Sequence, residues 1–200
     1  QRLGKFMYWK VEKVYPVFHL GMSGIFLSDR SLSLYPQHIH ISFYFQDGRS
    51  LHFQDVRKFS KVFLYSATPS FPELGIDPLG ENFTLNNFKK LLTLRKIAIK
   101  NLLMDQQLIA GIGNIYANEI LFQSKIHPQR RGISLSAAEK IRLFNSIHLI
   151  LTEAIEHFGT TYTAYRTVEG EIGENQNFLK VYQKAGEACS QCGNQIKKIV

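Results

Sequence analysis

Two short constellations in this chain have residue types and spacing that suit chemistry. The first is Gly111-Ile112-Gly113-Asn114, set inside the apolar stretch "LLMDQQLIAGIGNIYANEI" of residues 102 to 120. Helix-like apolar spacing breaks there and restarts at once, with Asp105, Gln106 and Gln107 just ahead of the break. Gly111 and Gly113 can take backbone conformations closed to other residues and let another molecule come close. Asn114 is a favourable N-cap for the helix that follows. The exposed amides and positive dipole end of that helix suit an anion, and a phosphate is the natural occupant. The competing reading is a tight helix–helix turn with no ligand. The second constellation is Cys189 and Cys192, whose two-residue gap is that of half a tetrahedral zinc site. A redox pair or an incidental pair has the same spacing.

The elements that must position these groups change character along the chain. The first third reads as β-structure. Short aromatic and β-branched runs at Phe6 to Trp9, Tyr15 to Leu20 and Gly24 to Leu27 are separated by Gly or charged residues. His38 to Phe45 mostly alternates polar with apolar, and Asp47-Gly48 then predicts a type I′ hairpin with Ser50 to Phe53 as the return strand. Val62 to Tyr65 reads as one more strand. Residues 66 to 83 are rich in Pro, Ser and Gly and read as a linker. From Thr84 the period becomes helical. Phe88, Leu91, Leu92 and Ile99 share one face, Leu102 to Ala110 predicts a second helix and Ile115 to Ser124 a third. Ser136-Ala137-Ala138-Glu139 is a capping box for a long helix whose buried stripe is expected at Ile141, Phe144, Ile147, Leu151, Ile155 and Phe158. Beyond Gly159 the chain turns polar and irregular.

Bulk composition narrows the partners. Lys plus Arg outnumber Asp plus Glu by 24 to 16 in 200 residues, and the pI is near 9.5. That excess favours a polyanionic partner, nucleic acid before anionic lipid. No apolar run has the length of a membrane span and no secretory signal is visible. Two cysteines are too few for a disulfide scaffold and suit a reducing compartment.

Five ordered motifs carry a resemblance. "LLMDQQLIAGIGNIYANEILFQSKIHPQR" closely resembles the helix-two-turn-helix signature of the formamidopyrimidine-DNA glycosylase / endonuclease VIII family of base-excision repair enzymes. "HLGMSG" at 19 to 24, "QDVRKFS" at 54 to 60, "RLGKF" at 2 to 6 and "VYQKAGEACSQCG" at 181 to 193 are similar to motifs of its formamidopyrimidine branch, in the family's order. The resemblance implies an α+β fold. An antiparallel β-sandwich lacking its N-terminal part (1–66) would lead through a linker (67–83) to a helix-two-turn-helix DNA-binding domain (84–160). A lesion-capping loop and the first half of a zinc-finger hairpin (161–200) would follow.

The implied function is excision of oxidised purines, 8-oxoguanine or formamidopyrimidine, from duplex DNA, followed by β,δ-elimination at the abasic site. The base must first leave the stack. By resemblance Met22, Arg57 and Phe59 fill and wedge the void, with Arg57 bonding the orphaned cytosine, and Lys5 transfers protons near the lesion. His19 sits beside the DNA groove, and His38, Arg57 and Arg95 contact DNA. Lys100 and Asn114, with Gly113 in the turn, grip phosphates. Glu119 orients its neighbours rather than reacting, and Thr167 to Phe178 close on the flipped base. Cys189 and Cys192 are half the ligand set of one zinc ion. The implied partner is duplex DNA with a damaged base or abasic site, met by a monomer in the bacterial cytoplasm, at the nucleoid.

Some of the family's pattern is missing. Its N-terminal Pro-Glu, the nucleophile and the acid, does not open this sequence, and the second cysteine pair and the hairpin arginine are not in it. Both ends therefore read as cut, and the 200 residues alone are expected to be catalytically inactive. Val56, Lys58 and Ser60 depart from the wedge motif. The alternatives are an endonuclease VIII-type enzyme for oxidised pyrimidines, a non-catalytic binder of abasic DNA with the same fold, and a ribosomal or RNA-binding module. "HLGMSG" and "GIGNIYANE" argue against the first, and the β-region motifs against the last.

Overall fold

The computed structural model describes residues 1–199, which form seven strands and four α-helices. Backbone contacts divide the chain into two compact units. One contains residues 1–70 and 154–177, and the other 71–153 and 178–200.

The first unit is built on two antiparallel sheets. β1 (Arg2–Leu3), β2 (Phe6–Tyr8), β3 (Tyr15–His19) and β7 (Lys61–Tyr65) form one, in that order. β4 (Gly24–Leu27), β6 (Ser50–Asp55) and β5 (Ile39–Tyr44) form the other. Alternation puts Phe18, Phe26 and Phe53 together in a core, with Met7, Trp9, Leu20, Ile41, Phe43 and Leu51 packed around them. Trp9 stacks flat on Phe18 at 5.2 Å between ring centroids, an offset pairing that adds to the area buried. The β5–β6 turn differs from the type I′ expectation. Gly48 alone has positive φ (85°), Gly48 N–H donates to the Phe45 carbonyl, and Phe45 N–H donates to the Arg49 carbonyl. Asp47 stays out of the left-handed region because the loop has one residue more, giving a type I turn closed by a glycine bulge. A second bulge at His40 lets Ile39 and Ile41 face the consecutive residues Gln54 and Phe53.

The second unit is helical. α1 (Leu85–Leu94) is capped by the Thr84 hydroxyl, which accepts from Asn87 N–H. α2 spans Ile99–Met104, α3 Asn114–Gln123 and α4 Ala137–Glu156. Their core gathers Phe88, Leu92, Ile99, Leu102, Leu103, Ile109, Ile112, Ile120, Leu143 and Ile147. The helix expected over 102 to 110 stops at Met104. From there the backbone pairs sideways with residues 75 and 76: Gly75 N–H donates to the Gln106 carbonyl, Ile76 N–H to Leu108, and Ala110 N–H to Ile76. A Cβ at Gly75 would stand 2.2 Å from the Leu108 carbonyl carbon, so only glycine allows that approach. The segment that composition marks as linker is thus partly a packed strand-like partner.

The capping box at α4 forms: Glu139 N–H donates to the Ser136 hydroxyl, and Ser136 N–H to the Glu139 carboxylate. Its expected stripe holds at Phe144, Ile147 and Leu151, which are buried or packed against the core, and fails at its ends. Leu143, Ile147 and Ala154 are buried, while Ile141, Ile155 and Phe158 are exposed.

Candidate nucleic-acid interface

In the β unit, β1 and β2 meet through the two-residue turn Gly4-Lys5, with Leu3 opposite Phe6. Gly4 has φ 56°, which a tight hairpin turn requires at its first central position, and Lys5 stands at the tip. Although the residue is largely exposed, partial burial pushes the Lys5 ammonium below its ordinary pKa, the direction that favours proton transfer. His19, at the end of β3, pairs across the sheet with Phe6 and Lys61. Burial first, then the charges of Lys5 and Lys61, push its imidazole below the usual range. Gly21 N–H donates to His19 Nδ1 at 3.2 Å, which suits the neutral ring with its proton on Nε2.

Met22 and Phe59 stand 61% and 53% exposed, where residues of their type are ordinarily core. They occupy the β3–β4 and β6–β7 connections. The Arg57 guanidinium lies 4.7 Å from the Phe59 ring centroid, a cation–π contact. Gly21, at φ 60°, lets the two connections touch: a Cβ there would meet the Phe59 backbone at 2.8 Å. Beneath them Asp55 is 2% exposed. Its carboxylate accepts from the Ser23 hydroxyl, from Arg57 N–H at 3.2 Å and from Ser60 N–H at 2.8 Å. Burial alone would raise the Asp55 pKa, but the bonds from Ser23, Ser60 and Arg57 together outweigh it and hold it low. The bulge at His40 aims Nε2 at the Asp55 carbonyl, 2.9 Å away. His38 ends a 3-10 turn at Pro36–His38 with its ring edge-on to Tyr35 at 6.3 Å. The 167–171 turn lies against the β4–β5 connection, where Ser28 N–H donates to the Val168 carbonyl at 2.7 Å.

In the helical unit the turn before α3 is stapled by Gln106. Its Oε1 accepts from Gly111 N–H, and its Nε2 donates to the Met104 and Ile112 carbonyls. Gly111 takes φ 110°, but Gly113 is in ordinary extended conformation. Gly113, not Asn114, is the N-cap, because the first helical bond runs from Ala117 N–H to the Gly113 carbonyl. Asn114 is the first helical residue, exposed, and its carbonyl accepts from Asn118 Nδ2 at 2.7 Å. The N–H groups of Gly113, Asn114 and Ile115 donate to no acceptor among the described residues, the state in which a helix terminus takes an anion. Lys100 is on α2, and its N–H donates to the Pro128 carbonyl. Arg95, at the C-cap of α1, lies 3.8 Å from the Asp105 carboxylate and 3.4 Å from Gln107 Oε1.

Glu119 on α3 is 2% exposed. Its carboxylate accepts three successive backbone N–H bonds, from Lys180, Val181 and Tyr182, at 2.7 to 3.0 Å. That clamp positions the segment leading to Cys189. Residues 186 to 196 double back as a short hairpin through bonds between Gly186 and Ile196 and between Cys189 and Asn194. Gln191 N–H points at Cys189 Sγ at 3.4 Å, and the Gln191 and Cys192 amides push the Cys189 thiol below its ordinary range. The two thiols of this hairpin are two of the ligands that a tetrahedral metal site needs. No cluster of three or more ligating residues occurs among the described residues.

Ser23, Asp55 and Gln106 lie inside the quoted motifs, but sequence reasoning assigned none of them a role. Their signal is weak: a carboxylate at a strand end, a serine and a glutamine, each a residue type ordinarily found in solvent.

Comparison with known proteins matches both units. The family model described as the formamidopyrimidine-DNA glycosylase N-terminal domain covers residues 1–62, and that of the formamidopyrimidine-DNA glycosylase H2TH domain covers 74–166. The formamidopyrimidine-DNA glycosylase of Listeria innocua is 42% identical over 205 aligned positions, spanning all of this chain and 75% of the relative. That of Herpetosiphon aurantiacus is 41% identical over 92% of this chain and 68% of its own. The crystal structure of the MutM (Fpg) protein from Thermus thermophilus superposes with a TM-score of 0.89 at 34% identity, covering this whole chain and 76% of that one. The Lactococcus lactis Fpg, in complex with an abasic site containing DNA, gives 0.88 at 34% identity over this whole chain and 75% of its own. On these grounds the chain belongs to the formamidopyrimidine-DNA glycosylase family.

Proposed function

We infer that this protein is a base-excision DNA repair glycosylase that removes oxidised purines from duplex DNA. One observation carries the reading: Met22, Arg57 and Phe59 stand in solvent on two connections that a single buried carboxylate ties together. A flipped base leaves a hole in the stack, and an adaptable thioether, a planar cation and a flat ring are groups that fill it, bond the widowed base and wedge the adjacent step. The free amides ahead of α3, with Lys100, would hold backbone phosphates and set the register of the strand. Lys5, its ammonium pushed down in pKa, is the proton donor or acceptor nearest the lesion. Relatives of this fold have been captured with Fapy-dG containing DNA as well as abasic-site DNA, which supports purine lesions as substrate.

Strand cleavage by β,δ-elimination belongs to the same proposal. It calls for an amine that attacks C1′ and forms an iminium. The resemblance assigns that role to an N-terminal Pro-Glu pair; Pro72-Glu73 is internal and offers no free amine. Cys189 and Cys192 would hold zinc, which when bound would cross-link the 186–196 hairpin and take no part in bond cleavage.

Equilibrium binding to a duplex with a tetrahydrofuran abasic analogue, against the undamaged duplex, tests the reading. At least tenfold preference for the abasic duplex, lost in Arg57→Ala, is expected. Equal affinity for both duplexes overturns it.

A further inference from the structure

We propose that Asp55 is the positioning residue of the void-filling wedge, coupling Met22, Arg57 and Phe59 so that they enter the DNA stack as one unit. The inference rests on the DNA-lesion reading above and extends it to a residue that touches no DNA. The three side chains sit on two connections, Met22 between β3 and β4, Arg57 and Phe59 between β6 and β7. Arg57 itself and the chain neighbours of Met22 and Phe59 converge on one carboxylate. Oδ1 takes the hydroxyl of Ser23, the neighbour of Met22, and the N–H of Arg57 itself. Oδ2 takes the N–H of Ser60, the neighbour of Phe59.

The remaining contacts close the arrangement. Ser23 Oγ also accepts from Arg57 N–H at 3.2 Å, so the two connections share a bifurcated bond. Ser60 Oγ donates to the Leu20 carbonyl at 2.8 Å, tying the far end of the second connection to the start of the first. Lys58, between Arg57 and Phe59, holds φ 57°, a left-handed backbone that a non-glycine residue keeps only where its surroundings enforce it. The N–H groups on either side of that strained residue, of Arg57 and Ser60, are the two that Asp55 binds. A buried acceptor-only group with three donors sets geometry that exposed side chains cannot set for themselves. Ordering the wedge before it meets DNA spares that entropy cost on binding.

Asp55→Asn keeps shape but turns one acceptor into a donor facing an N–H or hydroxyl. Binding to the tetrahydrofuran duplex is expected to weaken about tenfold more than binding to the undamaged duplex, the size of one charge-assisted bond lost. The effect should vanish on a gapped duplex lacking the opposite nucleotide, where no stacked void needs filling. In a double-mutant cycle, Asp55→Asn should cost little once Arg57→Ala is present, since both remove the same act. Ser23→Ala, which removes one donor and leaves the carboxylate, serves if Asp55→Asn does not fold, and should show the same lesion-specific loss at smaller size. Equal losses on both duplexes, or additive losses in the cycle, would reduce Asp55 to a fold residue and overturn the proposal. If Arg57→Ala weakens abasic binding and neither Asp55→Asn nor Ser23→Ala does, this inference alone falls. If Arg57→Ala leaves abasic binding untouched, the DNA-lesion reading falls and takes this one with it.

Discussion

At the scale of the residue, burial separates groups that hold from groups that reach. Asp55 and Glu119 are buried carboxylates that each take three donors, Glu119 three backbone N–H groups and Asp55 two of them with the Ser23 hydroxyl. Met22, Phe59 and Arg57 are the opposite case, side chains whose surroundings leave them outward. The Glu119 clamp joins α3 to a segment some sixty residues later in sequence, so its removal should be felt well away from position 119. Glu119→Gln replaces an acceptor with a donor facing amide hydrogens and is expected to cost about 2 kcal/mol of stability. Denaturant unfolding measures this, and hydrogen exchange should show residues 180–182 losing protection first. Unchanged exchange there would contradict the clamp.

At the scale of the element, the helix ends carry the testable chemistry. α3 closes with Lys125 at φ 55°, and Ile126 N–H donates back to the Leu121 carbonyl. A left-handed residue after a helix favours glycine, so Lys125→Gly is expected to raise stability by about 0.5–1 kcal/mol. A lower melting temperature in that variant would count against the assignment. At the start of α4, Glu139 is held at a pKa of about 2, first by the Arg130 side chain and then by Ser136 N–H, against an ordinary value of 4.5. The folded state therefore binds that proton less readily than the unfolded chain. The contribution is fully present above about pH 4.5 and is lost as pH falls toward 2. Melting temperature plotted against pH should drop across that window in the parent protein. Its margin over Glu139→Gln should shrink in the same window and stay flat above pH 5.

At the scale of the whole molecule, 24 basic residues against 16 acidic ones give a formal charge of +8, suited to a polyanion. Phosphate contacts release counterions, so duplex affinity should fall as a power of salt concentration. Lys100→Ala is expected to lower the slope of log affinity against log salt by about 1 and to weaken abasic and undamaged duplexes alike. Arg57→Ala should instead change their ratio. A Lys100→Ala variant with an unchanged slope would remove that lysine from the phosphate grip. Among the described residues no helix is long and apolar enough to cross a membrane.

Local patterns account for what could be read directly from the chain. Aromatic and β-branched runs located β3, β4 and β7, alternation and the Asp47-Gly48 signal located β5 and β6, the Ser136–Glu139 box marked the start of α4, and five ordered motifs identified the family, because each depends on neighbours in sequence. The same logic failed where the deciding partner is distant. Helix α2 ends at Met104 rather than Ala110 because residues 75 and 76 take the following backbone bonds. The α4 stripe turned away from Ile141 and Ile155 because facing side chains, which periodicity does not register, set which face is buried. Asn114 proved to be the first helical residue rather than the cap, a shift of one position that propensity cannot resolve. That Met22 and Phe59 are exposed, and that one carboxylate at position 55 orders the loops beneath them, was decided only in three dimensions. Hydrogen bonds between residues 23, 55 and 60 depend on strand pairing that brings them together, and no linear spacing encodes that distance.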